Sequence, residues 1–141
     1  MSVSKQIISI FENRAEFLKL LTVNPGLIII KLGATWCGPC KQIAHIVEAF
    51  FASSPDNVIC ADLDVDENID LYAYLKQKRM VNGIPVMLMY KRGNKSFAPD
   101  DMVTGANPTD LDAFFKRCGV QLAVLNHAYS LANTNNIGRG L

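Results

Sequence analysis

A β-branched run that leads directly into two closely spaced cysteines constrains this chain more than any other feature of its sequence. Residues 27–32 read Leu-Ile-Ile-Ile-Lys-Leu and follow the breaker Asn24-Pro25-Gly26, which predicts a strand buried on both faces of a sheet. After the segment Cys37-Gly38-Pro39-Cys40, apolar residues recur at helical spacing, which predicts a helix that ends near residues 53–55. A buried strand that passes directly into a helix indicates an α/β architecture.

The rest of the chain alternates between strand and helix patterns in the same way. The predicted strands are at 5–10, 27–32, 57–63 and 85–90 with an edge strand within 97–104, and the predicted helices are at 12–21, 37–53, 67–78 and from Asn107 onward. The order is therefore β-α-β-α-β-α-β-β-α. It predicts a central mixed sheet flanked by helices on both faces.

The patterns divide the 141 residues into a domain at 1–119 and a C-terminal extension at 120–141. Gly119 is expected to stop or bend the last helix of the domain. Apolar residues at helical spacing from Leu122 to Tyr129 predict a second helical stretch, whereas residues 133–141 are polar and are expected to fray. The extension is a candidate for docking on the domain, for self-association or for binding a partner.

Composition and charge argue against several functional classes. The chain has 14 basic and 13 acidic residues, a formal net charge of +1, which indicates no broad nucleic-acid or membrane-binding surface. The longest apolar stretch, residues 26–30, is too short to cross a bilayer, and the N-terminus does not read as a signal peptide. We therefore expect no nucleic-acid partner, no membrane association and a cytoplasmic location.

The position of the cysteine pair at a predicted helix start favours thiol chemistry. The first turn of a helix has unpaired N–H groups and the positive end of the helix dipole, and both favour a thiolate over a thiol. The thiolate is the nucleophile in disulfide exchange. Cys37 is therefore the candidate attacking residue, and Cys40, about one turn later, is placed to resolve a mixed disulfide at Cys37. Gly38 and Pro39 make the turn rigid and leave room for a substrate chain.

Two other interpretations of the pair are a zinc half-site and a pair of inert buried thiols. A closed zinc site needs four ligands, but Cys60 and Cys118 stand alone in apolar patterns, and His45 and His127 do not complete a second half. An iron–sulfur site fails for the same reason, so we expect no metal, and Cys60 and Cys118 are expected to be small core residues. Inert thiols do not explain the run Trp-Cys-Gly-Pro-Cys directly after a strand.

Several motifs, taken in order, resemble those of a known family. The segment Ala34-Thr35-Trp36-Cys37-Gly38-Pro39-Cys40-Lys41 resembles the active-site segment of thioredoxins. Asp64-Val65-Asp66-Glu67-Asn68 is similar to the end of the third strand in that family. Gly83-Ile84-Pro85 resembles the loop whose proline is cis and faces the disulfide, and Gly105-Ala106 resembles the pair beside the substrate groove. The resemblance covers residues 5–119 and implies the thioredoxin fold.

The resemblance also implies an activity and a site. Cys37 would be the attacking and Cys40 the resolving cysteine of a protein dithiol–disulfide oxidoreductase, with no bound cofactor besides the redox-active disulfide itself. Electrons would come from an NADPH-dependent, thioredoxin reductase-like donor, and the partners would be disulfide-containing proteins. A cis Pro85 would present the backbone of Ile84 to an extended substrate. The implied substrate-binding residues are Trp36, Gly38, Pro39, Gly83, Ile84, Pro85, Gly105 and Ala106.

The chain departs from the family pattern below the cysteines. Thioredoxins typically carry a buried Asp six residues before the first cysteine, where this chain has Lys31, and a Lys on the third strand, where it has Asp62. We expect a reversed ion pair, Lys31 with Asp62, as part of the catalytic site. If Lys31 is a neutral amine, it could accept the proton of Cys40. If it is a cation, it would stabilise a nearby thiolate. In the third alternative, the side chain extends to solvent and has no role. Gly33 also replaces a bulky residue, and His45 replaces a helix-kinking proline.

Three functions remain open from the sequence. The first is a general protein disulfide reductase, favoured by the intact cysteine pair. The second is a specialised oxidase or isomerase, favoured by Lys31 and by the extension. The third is a non-catalytic binding module with a thioredoxin fold, against which the retention of both cysteines, Pro85 and Gly105-Ala106 argues.

Overall fold

The computed structural model describes residues 5–139, and its order of elements confirms the predicted one. The elements are β1 (Ile7–Ile8), α1 (Arg14–Leu21), β2 (Leu27–Gly33), α2 (Gly38–Ser53), β3 (Val58–Asp64), α3 (Ile69–Gln77), β4 (Val86–Lys91), β5 (Asp101–Thr104) and α4 (Pro108–Arg139). The strands form one sheet with the order β1-β3-β2-β4-β5. β1, β3 and β2 are parallel, whereas β4 runs antiparallel to β2, and β5 antiparallel to β4.

The central strand β2 is buried along its whole length, as the β-branched run predicts. Successive side chains of a strand point to opposite faces. Ile28, Ile30 and Leu32 therefore join the core that packs under α1 and α3. Leu27 and Ile29 join the second core, under α2 and α4. Lys31 and Gly33 continue this second face towards the N-terminus of α2.

The two single cysteines lie in the second core, which confirms the sequence prediction. Cys60 and Cys118 are buried free thiols. Burial raises the pKa of Cys60, and it raises the pKa of Cys118 to about 12. Both thiols therefore stay protonated and unreactive at neutral pH.

The last helix differs from its prediction at Gly119. One continuous helix runs from Pro108 to Arg139, so it does not end at Gly119 as expected. A glycine in a helix interior costs only about 1 kcal/mol relative to alanine, and Leu122 and Leu125 beyond it pack against the second core. The same helix includes residues 133–139, and the fraying expected of this segment stays a prediction. Residues 140 and 141 lie outside the described residues.

Candidate active site

The cysteine pair occupies the N-terminus of α2. Cys37 is the N-cap residue, with an extended backbone, and its Sγ accepts a hydrogen bond of 3.2 Å from the backbone N–H of Cys40. Pro39 lies in the first turn, where a helix does not need its N–H. Cys37 and Cys40 form a disulfide, with their Cα atoms 5.3 Å apart. Sequence reasoning therefore placed both sulfurs at a helix terminus correctly.

The exposed indole of Trp36 is held beside the disulfide by a side chain that sequence reasoning did not select as a site residue. Trp36 is 67% exposed, and its Nε1–H donates a 2.7 Å hydrogen bond to Oδ2 of Asp66. Asp66 follows β3, where its backbone N–H donates to Oδ1 of Asp64. Only the fold brings these segments together, because 30 residues separate the indole from its acceptor.

The loop before β4 and the end of β5 are joined by a backbone hydrogen bond. The Ile84–Pro85 peptide bond is cis. The backbone N–H of Gly105 donates a 2.8 Å hydrogen bond to the carbonyl oxygen of Pro85. Gly105 has a φ of 98°, a conformation that favours glycine. Ala106 is half-buried and packs against the second core.

A groove of about 400 Å³ connects the indole with the cis-proline loop. Trp36, Gly83 and Ile84 line one part of it, as the sequence predicts for the substrate surface. The other part comes from one face of α3, and these residues were not predicted: Ile69, Tyr72, Ala73 and Lys76. Their i, i+3, i+4, i+7 spacing is the sequence signal that marks them as one helical face. Ile69 is 68% exposed, so this face offers an apolar contact to a partner.

The structure brings Lys31 and Asp62 together below the pair. They are register partners on the parallel strands β2 and β3, and Lys31 Nζ lies 3.7 Å from Asp62 Oδ1. The Lys31 side chain is only 8% exposed and that of Asp62 35%. Burial raises the pKa of Asp62, the positive charge of Lys31 opposes this shift, and the negative charge of Glu48 adds to it.

Comparisons with known proteins agree with this geometry. The thioredoxin family model matches residues 9–117. Thioredoxin of Coprinus comatus is 34% identical over 112 residues, which cover 79% of this chain and 97% of that protein. Thioredoxin-1 of Saccharomyces cerevisiae is 39% identical over 101 residues, 70% of this chain and 85% of that protein.

The chain belongs to the thioredoxin family.

Solved thioredoxins share its fold. The thioredoxin of Fasciola hepatica is 32% identical, with a TM-score of 0.60, over 78% of this chain and 98% of that one. The Malassezia sympodialis thioredoxin is 28% identical, with a TM-score of 0.61, over 83% of this chain and 95% of that one. The predicted thioredoxin fold is thereby confirmed.

Membership in the thioredoxin family also confirms the predicted activity. The chain is a thioredoxin-type protein dithiol–disulfide oxidoreductase, its redox-active centre is the Cys37–Cys40 pair, and its targets are disulfide-containing proteins. The comparisons favour this activity over a binding module. Within residues 5–139, no helix combines the length and the apolar character that a membrane span requires.

Proposed function

We propose that this thioredoxin-family chain reduces protein disulfides with Cys37 as the attacking and Cys40 as the resolving cysteine. The observation that carries the assignment is the hydrogen bond from the Cys40 backbone N–H to Cys37 Sγ at the start of α2. In the reduced protein, the same N–H and the helix dipole stabilise negative charge on Cys37. Cys40 lies inside the first turn and lacks the N-cap position.

The exchange proceeds in two steps. The Cys37 thiolate attacks a substrate disulfide, a mixed disulfide forms, and the first substrate sulfur leaves as a thiolate. Cys40, once deprotonated, attacks Cys37 Sγ and releases the second substrate sulfur, while the Cys37–Cys40 disulfide forms again. The substrate gains two electrons and two protons, and the protein loses them.

The substrate segment is proposed to lie across the surface between the indole and the end of β5. Trp36, Ile84 and Gly105 supply its apolar floor and backbone groups, and Gly38, Pro39, Gly83, Pro85 and Ala106 complete the implied set. An extended segment can pair with exposed backbone groups, and side-chain pockets then supply specificity. The groove along α3 supports this placement because it opens beside Trp36 and Ile84.

Lys31 and Asp62 are proposed as positioning residues for Cys40. A Cβ on Gly33 would lie 3.3 Å from Cys40 Sγ and 3.5 Å from Lys31 Cε, so both groups border the space beside Gly33. A protonated Lys31 stabilises the thiolate of Cys40, and Asp62 holds the ammonium group beneath it. Removal of the positive charge should therefore change the redox potential and the reactivity of Cys40, whereas a side chain without a role would change neither.

The electron donor is proposed to be an NADPH-dependent, thioredoxin reductase-like enzyme in a reducing, cytoplasmic compartment. Each turnover leaves the pair oxidised, so a donor must reduce it before the next one. The buried thiols of Cys60 and Cys118 are compatible with a compartment in which structural disulfides are rare.

The extension at 120–141 remains a separate prediction. The family model ends at residue 117, which supports a domain at 1–119 followed by an added segment. Exposed apolar side chains follow on the same helix: Val120, Val124, Tyr129 and Leu131. Self-association through this segment stays a prediction, and light scattering of the full chain and of Val124→Glu would test it.

Insulin reduction driven by dithiothreitol tests the proposed function. The wild-type protein should accelerate the reduction, and Cys37→Ser should reduce the rate to the uncatalysed level. A folded wild-type protein without activity, or a Cys37→Ser protein as active as wild type, would contradict the assignment.

A further inference from the structure

A cavity of about 270 Å³ lies behind the cysteine pair, between the sheet and the first turns of α2. Its walls come from the ends of β2 and β3 and from Lys41 and Ala44 of α2. Thr35 and Lys41 are exposed, and Lys31 and Leu63 are buried. The cavity is separate from the groove beside Trp36, with which it shares no lining residue. We refer to it as the rear pocket.

Gly33 leaves this pocket open. It is the last residue of β2, and its φ lies outside the left-handed region, so the backbone does not require a glycine there. A Cβ at this position would lie 3.3 Å from Cys40 Sγ, and a larger side chain would extend over that sulfur into the pocket. Glycine in a strand often marks a place that a ligand or another backbone segment approaches closely.

The rear pocket reaches the disulfide from the Cys40 side. Cys40 lines it and Cys37 does not. A thiolate that attacks Cys40 Sγ has to approach opposite the bond to Cys37, because the leaving sulfur departs along that axis. Because Cys40 lines the pocket and the pocket shares no lining residue with the groove beside Trp36, it offers an approach to Cys40 apart from that groove.

The charges around the rear pocket suit a small zwitterion. Lys31 and Lys41 supply two ammonium groups, and Asp62 and Asp64 supply two carboxylates. The Lys31 side chain is only 8% exposed. Its Nζ lies 3.7 Å from Asp62 Oδ1, which is longer than a normal hydrogen bond. An ammonium group has three donors, so Lys31 has donors left for a ligand carboxylate. The volume is near the lower end of that of ligand pockets, about 300 Å³.

We propose that the rear pocket binds amino-acid-type low-molecular-weight thiols and disulfides, and that these exchange directly with Cys40. The proposal rests on the redox activity of the pair and adds a second route to it. A small thiolate attacks Cys40 Sγ, the Cys37–Cys40 bond breaks, and Cys37 leaves as a thiolate at the helix N-terminus. A second small thiolate then attacks the ligand sulfur, which yields the small disulfide and the Cys40 thiolate. Two small thiols are oxidised and the protein disulfide is reduced, with both protons transferred to the protein.

The test uses the full chain with Cys37→Ser, in which Cys40 is the remaining cysteine of the pair. The protein is treated with cystine or with uncharged bis(2-hydroxyethyl) disulfide, and peptide mass mapping quantifies the adduct on Cys40. Each rate of adduct formation on Cys40 is divided by the rate for the same protein unfolded in urea. This division corrects for the different intrinsic reactivities of the two disulfides. We expect the normalised rate with cystine to saturate and to exceed that with the uncharged disulfide.

Two matched substitutions on α2 test the location. Ala44→Leu, added to Cys37→Ser, fills the rear pocket and should slow the cystine reaction about tenfold, as expected for the loss of one binding contact. Ala49→Leu makes the same change at an exposed position of the same helix and should leave the rate unchanged. Should Ala44→Leu not fold, Gly33→Ala covers the sulfur from the opposite wall and should slow the reaction too.

Three results would overturn the proposal: equal rates for the Ala44→Leu and Ala49→Leu proteins, no preference for cystine, or no adduct on Cys40 in the folded protein. Insulin reduction by the chain with both cysteines separates this proposal from the proposed function, because it depends on the attack by Cys37. Normal insulin reduction without an adduct on Cys40 would refute the rear-pocket route alone.

Discussion

Lys31 Nζ lies 3.7 Å from Asp62 Oδ1, between register partners on two adjacent parallel strands. The pair reverses the order that thioredoxins typically show, with the cation on β2 and the carboxylate on β3. A Cβ on Gly33, two residues after Lys31, would contact both Cys40 Sγ, at 3.3 Å, and Lys31 Cε, at 3.5 Å. This arrangement supports the proposal that the positive charge of Lys31 acts on the resolving cysteine.

Lys31→Met should make the disulfide a weaker oxidant. Loss of the ammonium group destabilises the thiolate of the reduced protein, so the redox potential should become more negative by about 30 mV, which corresponds to about 1.4 kcal/mol for two electrons. Equilibration with a glutathione buffer measures the potential. Lys19→Met, at an exposed position of α1, is the control. Equal redox potentials for wild type, Lys31→Met and Lys19→Met would rule out a redox role for Lys31.

Asp62→Asn should change the pH dependence of stability. The pKa of Asp62 is raised, chiefly by burial, so the native state binds its proton more tightly than the unfolded chain does. The carboxylate therefore destabilises the native state increasingly as the pH rises from the ordinary aspartate pKa, about 3.9, through the raised one. As the pH rises through this window, the free energy of unfolding of wild type should therefore decrease relative to that of Asp62→Asn. Urea unfolding at a series of pH values measures this difference in the free energy of unfolding. A wild type that becomes more stable relative to Asp62→Asn as the pH rises would contradict the raised pKa of Asp62.

Trp36→Ala should weaken the docking of protein substrates. The indole is exposed and its orientation is set by Asp66, so its loss removes a rigid aromatic contact. Aromatic interface residues commonly contribute more than about 1 kcal/mol, so KM for insulin should rise about fivefold, with little change in reduction of the pair by dithiothreitol. Tyr129→Ala removes an exposed aromatic from α4 and serves as the control. Equal KM values for the two variants would argue against docking at Trp36.

Arg117→Ala should destabilise the contact between α4 and the edge strand β5. Arg117 donates two hydrogen bonds to Asp101, of 2.7 and 3.1 Å, and chiefly these lower the pKa of that carboxyl. The substitution should cost about 0.5 kcal/mol at pH 7, a small value because Arg117 is half exposed and solvent screens the pair.

The same lowered pKa fixes how the effect of Arg117→Ala depends on pH. The contribution of the pair is fully present above the ordinary aspartate pKa and is lost as the pH falls through the lowered pKa of Asp101. The difference between wild type and Arg117→Ala should therefore shrink in acid. Arg92→Ala, at an exposed turn position, is the control. A difference that stays constant as the pH falls would show that packing of the Arg117 side chain, not the ion pair, dominates.

Much of the fold could be predicted because its signals are local. The β-branched run of β2 and the turn residues around it specify a buried strand, and the cysteine segment specifies the start of α2. The register that pairs Lys31 with Asp62 was also predictable, but only from the resemblance. The length of α4 was not, because its continuation past Gly119 depends on the tertiary packing of Leu122 and Leu125.

The parts of the site that sequence reasoning missed depend on distant segments. The hydrogen bond from Trp36 to Asp66 joins residues that no local pattern connects. The contribution of α3 to the substrate groove likewise depends on how that helix lies beside the cis-proline loop. The sequence marked Gly33 as unusual, but the rear pocket exists because α2 passes over it.

Disulfide trapping with insulin tests the central claim, that Cys37 attacks and Cys40 resolves. With Cys40→Ser, the mixed disulfide at Cys37 cannot be resolved, so a covalent adduct with an insulin chain should accumulate and map to Cys37. With Cys37→Ser, insulin should not be captured, because the protein-docking surface serves Cys37. Capture by Cys37→Ser but not by Cys40→Ser would contradict the account and would make Cys40 the attacking residue.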